Sequence, residues 1–153
     1  MILIIGYGNP LRGDDGVGWR VAEQAAVSLA DAPVAVLTVH QLTPELAEPI
    51  SRAGRVVFVD AAAEGEPGTV NCFGLEDTGQ RPVLQPIGSH LTTPDALLAM
   101  AGELFGRRPP ATMVTIAGES FAVSEALTPG VEGAIPAALA LILELVGRHD
   151  ATG

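Results

Sequence analysis

Short apolar runs alternate with stretches of helical spacing along most of this chain, and that alternation limits the fold more than any other feature. Ile2 to Gly6, Val34 to His40, Val56 to Val59 and Met113 to Ala117 are each too short for a helix and mostly rich in β-branched residues. They read as strands. After the first of them Val17, Val21, Ala25 and Leu29 recur every four residues, which predicts a helix from about Asp14 to Ala30 with Asp14 as its N-cap. Thr43-Pro44-Glu45 and Thr93-Pro94-Asp95 each put a capping residue before a proline, so helices are predicted to begin at both, the second running through Leu104. A last helix is predicted over Val131 to Val146. Strands alternating with helices form βαβ units, whose stable arrangement is a parallel sheet covered on both faces. The expected fold is therefore α/β: a three-layer α/β/α sandwich on a mostly parallel twisted sheet, with Thr69 to Phe73 as an antiparallel edge strand. One domain, 1–153, is expected, because the length suits one core and no linker or repeat divides it.

The charge balance narrows the partners. Eight arginines, no lysine and eighteen carboxylates give a net charge of −10, so nucleic acid and anionic membranes are disfavoured partners. Without lysine there is no Schiff-base or Walker chemistry. The single cysteine, Cys72, excludes an internal disulfide and a multi-cysteine zinc site. The first residues carry no basic n-region, and the apolar run Ala134 to Val146 is interrupted by Pro136 and Glu144 and is shorter than the roughly 20 residues of a membrane span. No membrane insertion and a cytoplasmic location are the expectations.

The loop between the first strand and the first helix, Gly6-Tyr7-Gly8-Asn9-Pro10-Leu11-Arg12-Gly13-Asp14-Asp15-Gly16-Val17-Gly18, is the most informative segment. A dinucleotide site would want a glycine where Leu11 stands, and two carboxylates sit where a pyrophosphate would bind. Asp14 and Asp15 suit a helix N-terminus in any protein. Gly16 and Gly18 are costly there, by roughly 1 kcal/mol each relative to alanine, so something is expected to approach this backbone closely. Asp60 follows the third strand. In a sheet ordered 2-1-3 it would neighbour Asp15 at the carboxyl edge, the usual ligand crevice of such folds. His90 precedes the third helix and His40 ends the second strand, and either could return to the same edge. Two carboxylates and an imidazole would suit a divalent first-row metal without selecting one. Nucleophile-elbow and zincin signatures are absent: Ser120 in Gly118-Glu119-Ser120-Phe121-Ala122 lacks the second glycine.

The pattern Gly6-x-Gly8-Asn9-x-Leu11-x-x-Asp14-Asp15-Gly16-x-Gly18 resembles that of the hydrogenase maturation proteases, the nickel-dependent endopeptidases of peptidase family M52. The resemblance continues through Val59-Asp60-Ala61, Gly88-Ser89-His90 and the stretch from Gly118-Glu119 to Leu127-Thr128-Pro129. It implies a metal-contacting site of Asp15, Asp60 and His90, with Asp15 and Asp60 as the catalytic carboxylates. Asn9, Asp14, Gly16, Gly18 and His40 are expected around it as substrate-binding residues. The implied activity is removal of a C-terminal extension from a nickel-iron hydrogenase large-subunit precursor after nickel insertion, the nickel arriving with the precursor. The segment His40-Gln41-Leu42-Thr43-Pro44-Glu45 departs from the Gly- and Thr-rich pattern of many members. A non-catalytic nickel checkpoint would share the same residues, and a nucleotide-binding module is the third reading.

Overall fold

The computed structural model of the chain describes residues 1–76 and 92–152, with side chains through Arg148. Its strands are β1 (Ile2–Tyr7), β2 (Val34–Val39), β3 (Arg55–Ala62), β4 (Val70–Gly74) and β5 (Ala111–Ala117), and its helices are α1 (Val17–Ser28), α2 (Ala47–Arg52), α3 (Pro94–Phe105) and α4 (Pro129–Thr152). They form one sheet in the order β2-β1-β3-β5-β4, parallel throughout except for the antiparallel β4–β5 pair at one edge. The α/β architecture and its antiparallel edge strand are as the sequence implies.

Because side chains alternate along a strand, each strand feeds both faces of the sheet. Ile2, Ile4, Val57, Val59, Val114 and Ile116 pack under α1 and α4, while Leu3, Ile5, Val56, Phe58 and Met113 pack under α2 and α3. Each fully buried aliphatic side chain is worth roughly 1.5–3 kcal/mol, so two such layers hold the sandwich together. Helix α4 is long and apolar enough to suit a bilayer. Its stripe of Val131, Ala134, Ile135, Ala138, Ile142, Leu145 and Val146 is buried in the first layer, which explains that composition.

Three local readings are corrected. Asp14 is not an N-cap: a 3-10 turn, Gly13–Gly16, intervenes, α1 begins at Val17, and the Asp14 carboxylate is used elsewhere. Thr43 makes no side-chain cap bond and Pro44–Leu46 is also a 3-10 turn, whereas Thr93 accepts from the Ala96 N–H at 3.1 Å and caps α3 as expected. Strand β3 does not end at Asp60 but continues to Ala62, because β5 goes on pairing with it through Ala117.

Helix α1 lies close to the sheet because Gly18 has no side chain. A Cβ there would stand 2.5 Å from the Val59 carbonyl oxygen and 2.9 Å from that of Tyr7, both of them backbone atoms. Gly18→Ala is therefore expected to destabilise the fold by about 2 kcal/mol despite its better helix propensity. Gly133→Ala, in the open on α4, should gain up to about 1 kcal/mol. Urea denaturation of both variants checks the pair, and equal shifts would contradict the close-approach account.

Candidate active site

At the carboxyl edge of the sheet β1 stops while β3 continues. Gly6 of β1 pairs with Val59, so Asp60 stands next to the point where β1 runs out, and on its other side it still pairs with Thr115 of β5. This is also where strand order reverses, with β1 leading outward to β2 and β3 leading the other way to β5. Such a switch point opens a crevice in any doubly wound sheet.

Asp60 lies on the same face as Phe58, in a half-buried setting, and its Oδ1 accepts from the Ala61 N–H at 2.8 Å. Burial pushes its carboxyl up to about 7, against the Ala61 hydrogen bond; the negative charge of Asp15 adds to the rise, and the nearby Tyr7 hydroxyl, which donates to Met113 Sδ at 4.0 Å, opposes it. The Tyr7 hydroxyl is itself pushed far above its ordinary value by burial and by the Asp60 charge. It stays a proton donor. Tyr7 was not anticipated as a site residue; its signal was its place at the end of β1, in step with Leu3 and Ile5 on the α2/α3 face.

Asp15 comes from the 3-10 turn after β1 and is half-exposed, with Oδ2 accepting from the Asn9 N–H at 2.8 Å. Asn9 in turn shapes the loop, its Oδ1 taking the Leu11 N–H at 2.9 Å. The structure thus brings Asp15 and Asp60 to one crevice, close enough for the charge on the first to raise the second.

Asp14 points the opposite way. It is 0% exposed, and its carboxylate accepts from the backbone N–H groups of Glu119, Ser120 and Thr128 and from the Thr128 hydroxyl, at 2.8 to 3.0 Å. Burial alone would raise its pKa, but these four donors outweigh it and hold the carboxyl below the usual range. The expected substrate contact is instead a tether between the β1–α1 loop and the segment that leads into α4. Gly16 and Gly18 are likewise buried, and a Cβ on Gly16 would come 2.7 Å from the Pro10 Cα. What approaches these two glycines is the protein's own backbone, not a ligand. His40 is exposed on the rim, edge-on to Trp19 at 5.2 Å, while the Trp19 indole N–H is held by the Val39 carbonyl at 2.7 Å. His90, expected as the third metal contact, lies outside the described residues. Among the described residues no three His, Cys, Asp or Glu side chains gather to hold a metal, so Asp15 and Asp60 are the carboxylates this edge offers one.

No family model matches the chain, and none of the curated proteins matches it. Solved structures do. A hydrogenase 2 maturation peptidase from a Thaumarchaeota archaeon is 29% identical with a TM-score of 0.71, over 95% of this chain and 97% of that one. An endopeptidase from Escherichia coli is 26% identical with a TM-score of 0.74, over 97% and 93%. The hydrogenase maturating endopeptidase HybD of E. coli, at 24% identity and a TM-score of 0.70 over 97% and 93%, shares the fold. The fold is thus one used by maturation endopeptidases. Beyond the shared fold, the chain is similar in sequence, at 26–29% identity, to an endopeptidase and a hydrogenase 2 maturation peptidase.

The two buried carboxylates make opposite contributions to stability. The Asp14 contribution is present above the ordinary 3.8 and is lost as pH falls through its lowered value. Asp60 binds its proton more tightly folded than unfolded, so stability falls as pH rises from 3.8 to about 7, and above that the full penalty is present. Asp60→Asn is expected to raise the unfolding free energy by on the order of 1–2 kcal/mol at pH 8, discounting for partial exposure, and to change it little at pH 4. Asp14→Ala should cost about 3 kcal/mol at pH 8 by orphaning buried donors. Chemical denaturation at the two pH values measures all of these.

Proposed function

We propose that this protein is an endopeptidase of hydrogenase maturation that removes the C-terminal extension of a nickel-iron hydrogenase large-subunit precursor once nickel has been inserted. The observation that carries the reading is the Asp15–Asp60 pair at the switch point of a sheet shared, at 26–29% identity, with an endopeptidase and a hydrogenase maturation peptidase. Their names support the peptidase chemistry.

Peptide hydrolysis needs a group that takes a proton from water and returns one to the leaving amine. A carboxyl near 7 is suited to both, being populated in each form at neutral pH. Before nickel docks, Asp60 has that proton affinity, raised mainly by burial and further by Asp15; beside the nickel its carboxylate would be held ionised and serve as the base. Tyr7 supplies a fixed hydroxyl beside it. The nickel belongs to the substrate: held by the precursor's own cysteines, it would find open coordination positions met by Asp15 and Asp60, and by His90 as the family resemblance implies. Two carboxylates and no thiolate bind a free ion weakly, so affinity depends on the ligands that the loaded precursor brings. Docking then turns a weak encounter into a positioned reaction.

Incubation of the purified, chelator-treated protein with nickel-loaded and nickel-free precursors tests this reading. The loaded large subunit is expected to shorten and the unloaded one to remain intact, with Asp60→Ala slowing cleavage at least about 100-fold. Equal cleavage of both precursors would overturn nickel recognition. Binding of the loaded precursor without shortening would identify a checkpoint protein.

A further inference from the structure

The Asp60 position does not stand alone in the sheet. Asp60 of β3 pairs with Thr115 of β5, and Thr115 pairs with Asn71 of β4. Paired residues share a face, so the three side chains form one polar row from the crevice to the terminal strand. Thr115 is the one residue of β5 that is not buried, in a strand otherwise made of Ala111, Thr112, Met113, Val114, Ile116 and Ala117. Asn71 is exposed. Neither the amide of Asn71 nor the hydroxyl of Thr115 has a hydrogen-bond partner among the described residues. On the same face of β4, Phe73 is 50% exposed, giving the row an apolar neighbour.

We propose that Thr115 and Asn71 are substrate-binding residues that hold an extended peptide segment running from the Asp60 crevice to the β4 edge. The proposal rests on the endopeptidase reading for the identity of that peptide, the stretch of precursor beside the scissile bond. Adjacent strands lie about 4.8 Å apart, so the row spans roughly 10 Å, the length of three extended residues at about 3.3 Å each. The Thr115 hydroxyl then meets the peptide one to two residues from the bond that is cut. Asn71 meets it at about the third. Both groups offer a donor and an acceptor, which suits the main chain of an extended peptide, and Phe73 offers contact to an apolar side chain next to it.

The experiment compares Thr115→Val, Asn71→Ala and wild type on the loaded precursor, with a synthetic peptide of the precursor's cleavage region as an independent probe. Each variant should raise KM about tenfold with kcat within about twofold, because contacts away from the reacting bond bind ground and transition states alike. Unfolding midpoints should not move, since neither side chain bonds to a described residue. On the Asp60→Asn protein, which leaves the peptide uncut, the Asn71 side-chain amide resonances should shift saturably. If wild type cleaves and both variants keep its KM, the row is not a binding surface and the proposal fails while the endopeptidase reading stands. If wild type cleaves nothing, the endopeptidase reading fails, and an Asn71 amide that ignores the peptide sinks this proposal as well.

Discussion

The buried carboxylate of Asp14 is the interaction on which the working edge of this molecule depends. It gathers three backbone N–H groups and one hydroxyl from residues 105 to 114 positions away in sequence. Charge-assisted hydrogen bonds of this kind are roughly twice as strong as neutral ones, and four of them offset the cost of placing a charge out of contact with water. The consequence is geometric as much as energetic. Thr128 is the last residue before α4, so Asp14 fixes where that helix begins and brings its apolar stripe into register with α1. The same clamp is extended by the Gly13 N–H donating to Ser124, the Asp14 N–H to Ser120 and the Ser124 N–H to Leu11. Asp15 is the next residue along, and its place over the sheet follows from the anchoring of its neighbour.

Three aspartates within one small region thereby reach three different situations. Asp14 is surrounded by donors and is driven toward permanent ionisation. Asp60 is half-buried, with a single backbone donor, a tyrosine and a nearby carboxylate, and is driven toward neutrality. Asp15, half-exposed and bonded to the Asn9 N–H, supplies the charge that Asp60 feels. Identical chemical groups divide into a tether, an electrostatic partner and a proton carrier because their surroundings differ, which is the general way one fold runs acid and base chemistry near neutral pH.

Much of this was legible in the sequence because the relevant signals are local. The βαβ alternation depends on residues within one element, so the strands and the antiparallel edge could be read, while the 2-1-3 start of the strand order entered as an assumption. The Thr93-Pro94 cap was legible for the same reason, and Asp15 and Asp60 could be brought together once the strand order was assumed. What could not be read depends on long-range partners. Asp14 has the sequence signature of an N-cap, and only the return of residues 119 to 128 shows that its oxygens are committed elsewhere. Gly16 and Gly18 signalled a close approach correctly, but a sequence does not say whether the approaching group is a ligand or, as found, Pro10 and Val59. The end of β3 was placed two residues early because Asp60 breaks the apolar run, while β5 pairing carries the strand on.

The loop also shows why a nucleotide-fold topology need not bind nucleotides. In a dinucleotide site the glycines leave free N–H groups at the first helix for a pyrophosphate to accept from. Here the turn is closed. Gly16 packs on Pro10, Gly18 packs on Val59, and the Asn9 N–H already donates to Asp15. A phosphate arriving at this edge would meet the Asp15 carboxylate rather than open donors, and a second acid beside it at Asp60. Reversing the sign of the crevice reverses the ligand it favours: an anion is repelled, while a cation is drawn in. The strand order creates the crevice, the glycines bring α1 down against it, and the charge on its rim decides what can enter.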